Sequence, residues 1–306
     1  MHTAVVAEGG GQRGIYTAGL LDSLMEADVN PFTLGVGVSS GAQNLLAYFL
    51  QQPGYSQRAI TEYTAARDFF VPYRWLGARG IVDLDSYFER SVNDPEFRLP
   101  YQQIATLQTR QRLVFVATSQ YSLEPVYLEP DARTVVNDLK ASCAVPFLYK
   151  SGVVSDDEVL VEGGVSDPLP VIYAYQQGAR RIAVIRTCVD RYEASQWRAR
   201  LTSLGRLHTL PLRILRMLER YEQAYAEAVA FIQHPPDDLE LMLIGPKSPL
   251  CSQVIGSRAE SLLADYEIGK NDGVRTAERL SRWFESDSSI RRTGQIGVVE
   301  RPDSVC

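Results

Sequence analysis

Near its N-terminal end the chain twice runs from a short apolar stretch through a glycine-bearing turn into a helical pattern, and this alternation constrains the fold more than any other feature. Ala4 to Glu8 reads as a buried strand, Gly9-Gly10-Gly11-Gln12-Arg13-Gly14 as a tight loop, and Ile15 to Ala27 as a helix. Ile15, Ala18, Leu21, Leu24 and Met25 of that helix recur near a 3.6-residue period. Leu34 to Val38 repeats the strand, Gly37-Val38-Ser39-Ser40-Gly41 the turn, and Ser40 to Gln51 the helix. Strand–helix alternation predicts a parallel sheet covered by helices.

The rest of the chain extends that pattern. Arg112 to Ser119, Pro125 to Leu128, Val159 to Glu162, Arg180 to Thr187 and Leu239 to Ile244 read as strands. Val135 to Ala144 reads as a helix that stops before Pro146, and Leu207 to Gln233 as a long helical pattern with an interruption near Pro211 as an alternative. Asp156-Asp157-Glu158 reads as a solvated turn. Ser257 to Phe284 is expected to be helical with a break near Asn271-Asp272-Gly273, and the stretch from Arg291 a loose tail. Residues 1–250 are expected to form the main domain and residues 251–306 a helical extension with a tail.

Composition bounds the function classes. A formal net charge of −6 argues against a nucleic-acid binder, which carries a basic surface. No apolar run approaches the roughly 20 residues of a membrane span, and the first residues lack the pattern of a signal peptide, so a cytoplasmic location is expected. The four cysteines include no pair at metal-binding spacing, which disfavours a zinc site. Cys143 and Cys188 lie in apolar sequence and read as buried thiols.

The chemistry gathers at the two turns. Gly37-Val38-Ser39-Ser40-Gly41 fits G-x-S-x-G between a strand and a helix, an elbow that presents Ser39 beside a helix N-terminus. The loop Gly9 to Gly14 fits G-x-G-x-x-G, the pattern of a dinucleotide-binding turn. That reading needs an acidic residue at the end of the second strand, where this chain has Gly37-Val38-Ser39. The alternatives are an oxyanion hole built from the backbone N–H groups of Gly10 and Gly11, or a plain turn. The three histidines, His2, His208 and His234, sit at no strand-to-loop position suited to a triad. A serine without histidine needs a carboxylate to take its proton, and Val159 to Glu162, running into Gly163-Gly164, supplies one.

The loop GGGQRG, the elbow GVSSG and the late acid-Gly-Gly resemble, in order, the three motifs of the patatin-like phospholipases. Ala141-Ser142-Cys143-Ala144-Val145-Pro146-Phe147 and Gly164-Val165-Ser166-Asp167-Pro168-Leu169-Pro170 continue the likeness, which covers about residues 4–250 and is closest to bacterial cytoplasmic members. The resemblance implies a three-layer α/β/α fold with a mainly parallel sheet and a serine–carboxylate dyad. It implies oxyanion stabilisation by the glycine loop with Arg13 adjacent, and hydrolysis of fatty-acyl esters of phospholipids, lysophospholipids or neutral lipids. It implies a lipid ester substrate and neither metal nor organic cofactor; transient contact with a membrane surface and no nucleic-acid partner are also expected. Arg13 would meet a phosphate head group or pair with a surface carboxylate. The sequence departs from the family at one consequential place: the acid is Glu162, where the family has aspartate. The extra methylene adds roughly 1.5 Å of reach. Glu162 is expected to act as the base, with Asp167 as a candidate substitute, and a weakened lipid-binding or regulatory protein as the alternative. The aromatic run Tyr63, Phe69, Phe70, Tyr73 and Trp75 is expected to pack in the core, with an acyl groove or a mobile cover as the other reading.

Overall fold

In the computed structural model, which describes residues 2–66, 68–71, 80–146, 148–189 and 211–293, eight strands form one sheet. The strands are β1 (His2–Ala7), β2 (Leu34–Val38), β3 (Arg112–Ser119), β4 (Pro125–Leu128), β5 (Val153–Ser155), β6 (Glu158–Glu162), β7 (Ala179–Ile185) and β8 (Glu240–Ile244). The order is β5-β6-β3-β2-β1-β7-β8, with β4 paired to β3 beside that path. The run β3-β2-β1-β7-β8 is parallel, whereas β6 and β4 pair antiparallel to β3 and β5 antiparallel to β6.

The sheet is buried on both faces, as a parallel sheet between helices must be. Because side chains alternate along a strand, each strand feeds two cores. Val5 and Ala7, Leu113 and Phe115, and Ala183 and Ile185 enter one core, and Ala4 and Val6, Val114 and Val116, and Ile182 and Val184 the other. The first core is covered by α1 (Gly14–Glu26), α2 (Ser40–Phe49), α3 (Leu84–Asn93) and α4 (Val135–Cys143). The second is covered by α5 (Val171–Gln176) and α6 (Leu212–Gln233). The result is the expected three-layer α/β/α sandwich.

The last helix, α7 (Ala259–Thr293), corrects one expectation, because it runs unbroken through Asn271-Asp272-Gly273. Its glycines serve packing. A Cβ on Gly273 would meet Leu20 O and the Ser23 side chain at 2.6 Å, and Gly269 lies against Tyr16 O in the same way. The two backbones therefore approach closely, and Tyr16 and Tyr266 hydroxyls bond Asp272 and Asp22 across the crossing (2.9 and 2.7 Å). Tertiary contact thus outweighs the intrinsic cost of glycine in a helix. A second correction concerns the acidic turn: Glu158 is the first residue of β6 and accepts a hydrogen bond from the Ser119 hydroxyl. Helix α3 and strand β5 were not foreseen. Among the described residues no helix is long and apolar enough to cross a membrane. Tyr73, Trp75, Phe147, His208 and the tail beyond Thr293 lie outside the described residues.

Candidate active site

Ser39 stands between β2 and α2 with φ 53° and ψ −124°, a backbone state that L-residues seldom adopt. Such strain, of order 1–3 kcal/mol, persists only where the surroundings enforce it. Here a Cβ at Gly41 would collide with the backbone oxygens of Ala7 and Glu8, so α2 can begin this close to the end of β1 only with glycine in that place. The Ser39 N–H donates to Ser142 Oγ (2.9 Å), which ties the elbow to the last turn of α4. Ser39 itself is buried, at 6 % exposure, at the positive end of α2.

The glycine loop passes directly over this serine. A Cβ on Gly9 would lie 3.3 Å from the Ser39 Cβ, and one on Gly10 would lie 2.7 Å from Thr187 Oγ1. Gly11 has φ +56° and rests against Val254 O. The N–H groups of Gly10 and Gly11 have no hydrogen-bond partner among the described residues. Gly14, Gly37 and Gly163 make further close approaches, to Ser40, Ala42 and the Val116 carbonyl respectively, while Gly164 faces the Glu162 side chain.

Glu162 comes from β6, which β3 separates from the strand that leads to Ser39. It ends β6, paired with Ala117 of β3, and its N–H donates to Ala144 O (3.0 Å) while its carbonyl accepts from Thr118 Oγ1 (2.8 Å). Both residues line one cavity of about 110 Å³ with Gly11, Gln43 and an apolar wall that includes Phe69, Leu84, Phe88 and Ile255. Burial pushes the Glu162 carboxyl up to about 7, against the pull of a hydrogen bond from the Ser39 hydroxyl. With glutamate in place of aspartate, Glu162 still lines the same cavity as Ser39.

Asp167 does not line this cavity. It accepts from the Tyr127 hydroxyl (2.8 Å), and burial raises it to about 6. His2 and His234 are exposed and remote from the cavity lining. Arg13 lies beyond the loop in a second cavity of about 560 Å³, with Thr187, Cys188, Ser252 and Gln253, and its Nε is buried with no hydrogen-bond partner among the described residues.

The two cysteines expected to be buried in apolar surroundings are both half-buried. Cys188 sits among polar groups, within 3.6 Å of Arg186 and 3.4 Å of the Tyr225 hydroxyl. Cys143 lines the Ser39 cavity. Burial and the neighbouring Glu162 carboxylate push its thiol up to about 12, a hydrogen bond with Ser39 opposing them. It therefore stays protonated and weakly nucleophilic. The sequence reading named Ser142 and Cys143 without placing them at the site, and did not foresee the wall supplied by α3. A signal for α3 exists: Asp83 caps a run with Leu84, Tyr87 and Phe88 at helical spacing. Of the aromatic run, Tyr63 stacks on Phe97 and Phe69 lines the cavity.

A domain of unknown function (DUF6363) matches residues 212–285. The Escherichia coli (strain K12) protein named "Uncharacterized protein YjjU" is 37% identical over 307 residues, covering 99% of this chain and 84% of that one. Among solved structures, the chain is similar to VipD from Legionella pneumophila, at TM-score 0.42 and 12% identity, covering 91% of this chain and 67% of that chain. It is also similar to human GIVD cytosolic phospholipase A2 in complex with methyl gamma-linolenyl fluorophosphonate, at TM-score 0.46 and 11% identity, covering 93% of this chain and 59% of that chain. The model of the patatin-like phospholipases matches residues 5–175, a span that holds the glycine loop, the Ser39 elbow and Glu162, and the chain belongs to that family.

Proposed function

We propose that this protein is a serine acyl hydrolase of fatty-acyl esters, with Ser39 as nucleophile and Glu162 as base. The observation that carries the reading is the meeting, in one largely apolar cavity, of a strained buried serine and a carboxyl raised to about 7. A base poised near neutral pH is both ionised often enough and basic enough to take a hydroxyl proton. Apolar walls suit an acyl chain better than a polar substituent.

In this mechanism the Glu162 carboxylate takes the Ser39 proton as Oγ attacks the ester carbonyl carbon. The negative oxygen of the tetrahedral intermediate rests under the Gly10 and Gly11 N–H groups, which have no hydrogen-bond partner among the described residues. Arg13 adds positive charge from beyond the loop. Collapse expels the alcohol, which leaves with the proton held by Glu162, and forms an acyl-enzyme. Water then gives a proton to Glu162, attacks the acyl carbon, and the fatty acid departs as Ser39 regains its hydrogen.

The test is fatty-acid release from a mixed-acyl phospholipid and from p-nitrophenyl esters by the parent and by Ser39→Ala, Glu162→Asp and Glu162→Gln. Ser39→Ala is expected to lose about a thousandfold or more. Glu162→Gln is expected to lose about 10²–10⁴-fold. The parent rate should rise with pH through about 7, as the base ionises. Undiminished activity in Glu162→Gln sinks the base assignment. Fatty-acid binding without any release by the parent replaces the hydrolase reading with a lipid-binding one.

A further inference from the structure

One wall of the Ser39 cavity comes from far along the chain. The segment Cys251–Ser257, between β8 and α7, crosses the glycine loop and places Val254 and Ile255 in the cavity lining. It lies within residues 212–285, the span of the domain of unknown function.

The segment is seated at both ends by buried groups. At its start, the N–H groups of Cys251 and Ser252 donate to the two carboxylate oxygens of Asp265 (3.1 and 2.6 Å), a residue with 0% exposure. A carboxylate buried this deeply is tolerated because backbone N–H groups satisfy it. Further along, Gln12 binds the segment to the loop: its N–H donates to Val254 O (2.9 Å) and its Oε1 accepts from the Ser257 N–H (2.8 Å). The same side chain donates through Nε2 to Thr64 O (3.1 Å). Gln12 therefore joins the glycine loop, the end of the helical stretch Ala59–Thr64 and this segment, and all three contribute to the cavity lining. Within it the two apolar side chains differ. Val254 is 48% exposed and forms the rim, whereas Ile255 packs inward against the core that holds Phe69, Leu84 and Phe88.

We propose that Cys251–Ser257 is the wall that sets acyl-chain length, with Ile255 as the specificity-determining side chain. The proposal rests on the acyl-hydrolase reading and gives the C-terminal region a direct part in substrate selection. A chain attached to Ser39 occupies a cavity that Ile255 lines, so the volume of that side chain sets how many methylenes fit. Each methylene that a hydrophobic pocket cannot accept costs about tenfold or more in kcat/KM.

The experiment is a series of p-nitrophenyl esters from acetate to palmitate, measured with the parent, Ile255→Trp and Ile255→Ala. The optimum of kcat/KM should move to shorter chains in Ile255→Trp and to longer chains in Ile255→Ala. The long-to-short ratio should change about tenfold or more. A profile that keeps its shape while changing only in overall height overturns the proposal. In parallel, saturated fatty acids of the same lengths are titrated into Ser39→Ala with and without Ile255→Trp. If the parent cleaves no ester, the hydrolase reading falls, and this titration decides the wall by itself. Loss of affinity confined to the longer acids upholds it, and affinities that Ile255→Trp leaves unchanged overturn it. Circular dichroism of each variant shows that the chain has folded.

Discussion

The two sides of the glycine loop carry opposite chemistry. On one side lies the cavity of Ser39 and Glu162, walled by Phe69, Leu84, Phe88 and Ile255. On the other lies a polar cavity with Arg13, Thr187, Ser252 and Gln253, and behind it Glu8 accepts the Thr187 N–H at 2.7 Å. A single layer of backbone separates them, and Val254 and Ile255 border both. The apolar side makes the carboxyl basic by withholding water, while the polar side holds the Arg13 guanidinium. The thinness of the partition is the point: side chains in the loop would part the two environments.

The most damaging way to break that partition is Gly11→Ala. The residue has φ +56°, and its Cβ would strike Val254 O, so either the loop or the Cys251–Ser257 segment must move. Loss of one oxyanion donor costs about 10²–10³-fold in kcat, and a displacement of about 1 Å is enough to cost a hundredfold. The expected result is a loss in that range, with a matching fall in the rate at which a fluorophosphonate modifies Ser39. Retention of the parent rate in both assays removes the loop from the mechanism.

Glu162→Gln sharpens the contrast through stability. The Glu162 carboxyl keeps its proton up to about 7 in the folded chain, against 4.5 for an unperturbed glutamate. Below the lower value both states are protonated and the group is neutral in its effect. Between the two the folded state holds a proton that the unfolded state has lost, so stability falls progressively as pH rises from 4.5 to about 7 and stays at the lower level above it. At ~1.36 kcal/mol per unit, the ionised carboxylate costs about 3 kcal/mol at alkaline pH. Glu162→Gln is therefore expected to raise Tm by several degrees near pH 8 and to leave it unchanged near pH 4. A variant less stable than the parent near pH 8 contradicts a carboxylate held in an apolar site.

What was legible in the sequence follows the same division. Ser39 and its loop are specified locally, since glycines at fixed offsets between a strand and a helix state the turn and the close approach together. Glu162 was legible as an acid at a strand end, but its partnership with Ser39 depends on β6 pairing antiparallel to β3, three strands of the sheet away from the loop of β1. The direction of Arg13 was hidden because adjacency in a loop says nothing about which side a side chain takes. The Ile255 wall was hidden because its contacts span more than two hundred residues, from Gln12 to Ser257. The false break at Gly273 arose because a glycine that permits two helices to touch has the same letter as one that ends a helix.

The smallest effect belongs to Arg13→Met. Methionine keeps much of the apolar stem and removes the charge. Arg13 Nε has no hydrogen-bond partner among the described residues, so little bonding is lost with it. A charge acting across one layer of backbone, without direct contact, is worth far less than a loop N–H that touches the oxyanion. A fall in kcat/KM of less than tenfold, or under ~1.4 kcal/mol, is expected. It should be seen equally with neutral p-nitrophenyl esters and with phospholipids, and should shrink as salt screens the charge. A loss confined to phospholipids instead places the guanidinium on the substrate phosphate, and the polar cavity then receives part of the substrate.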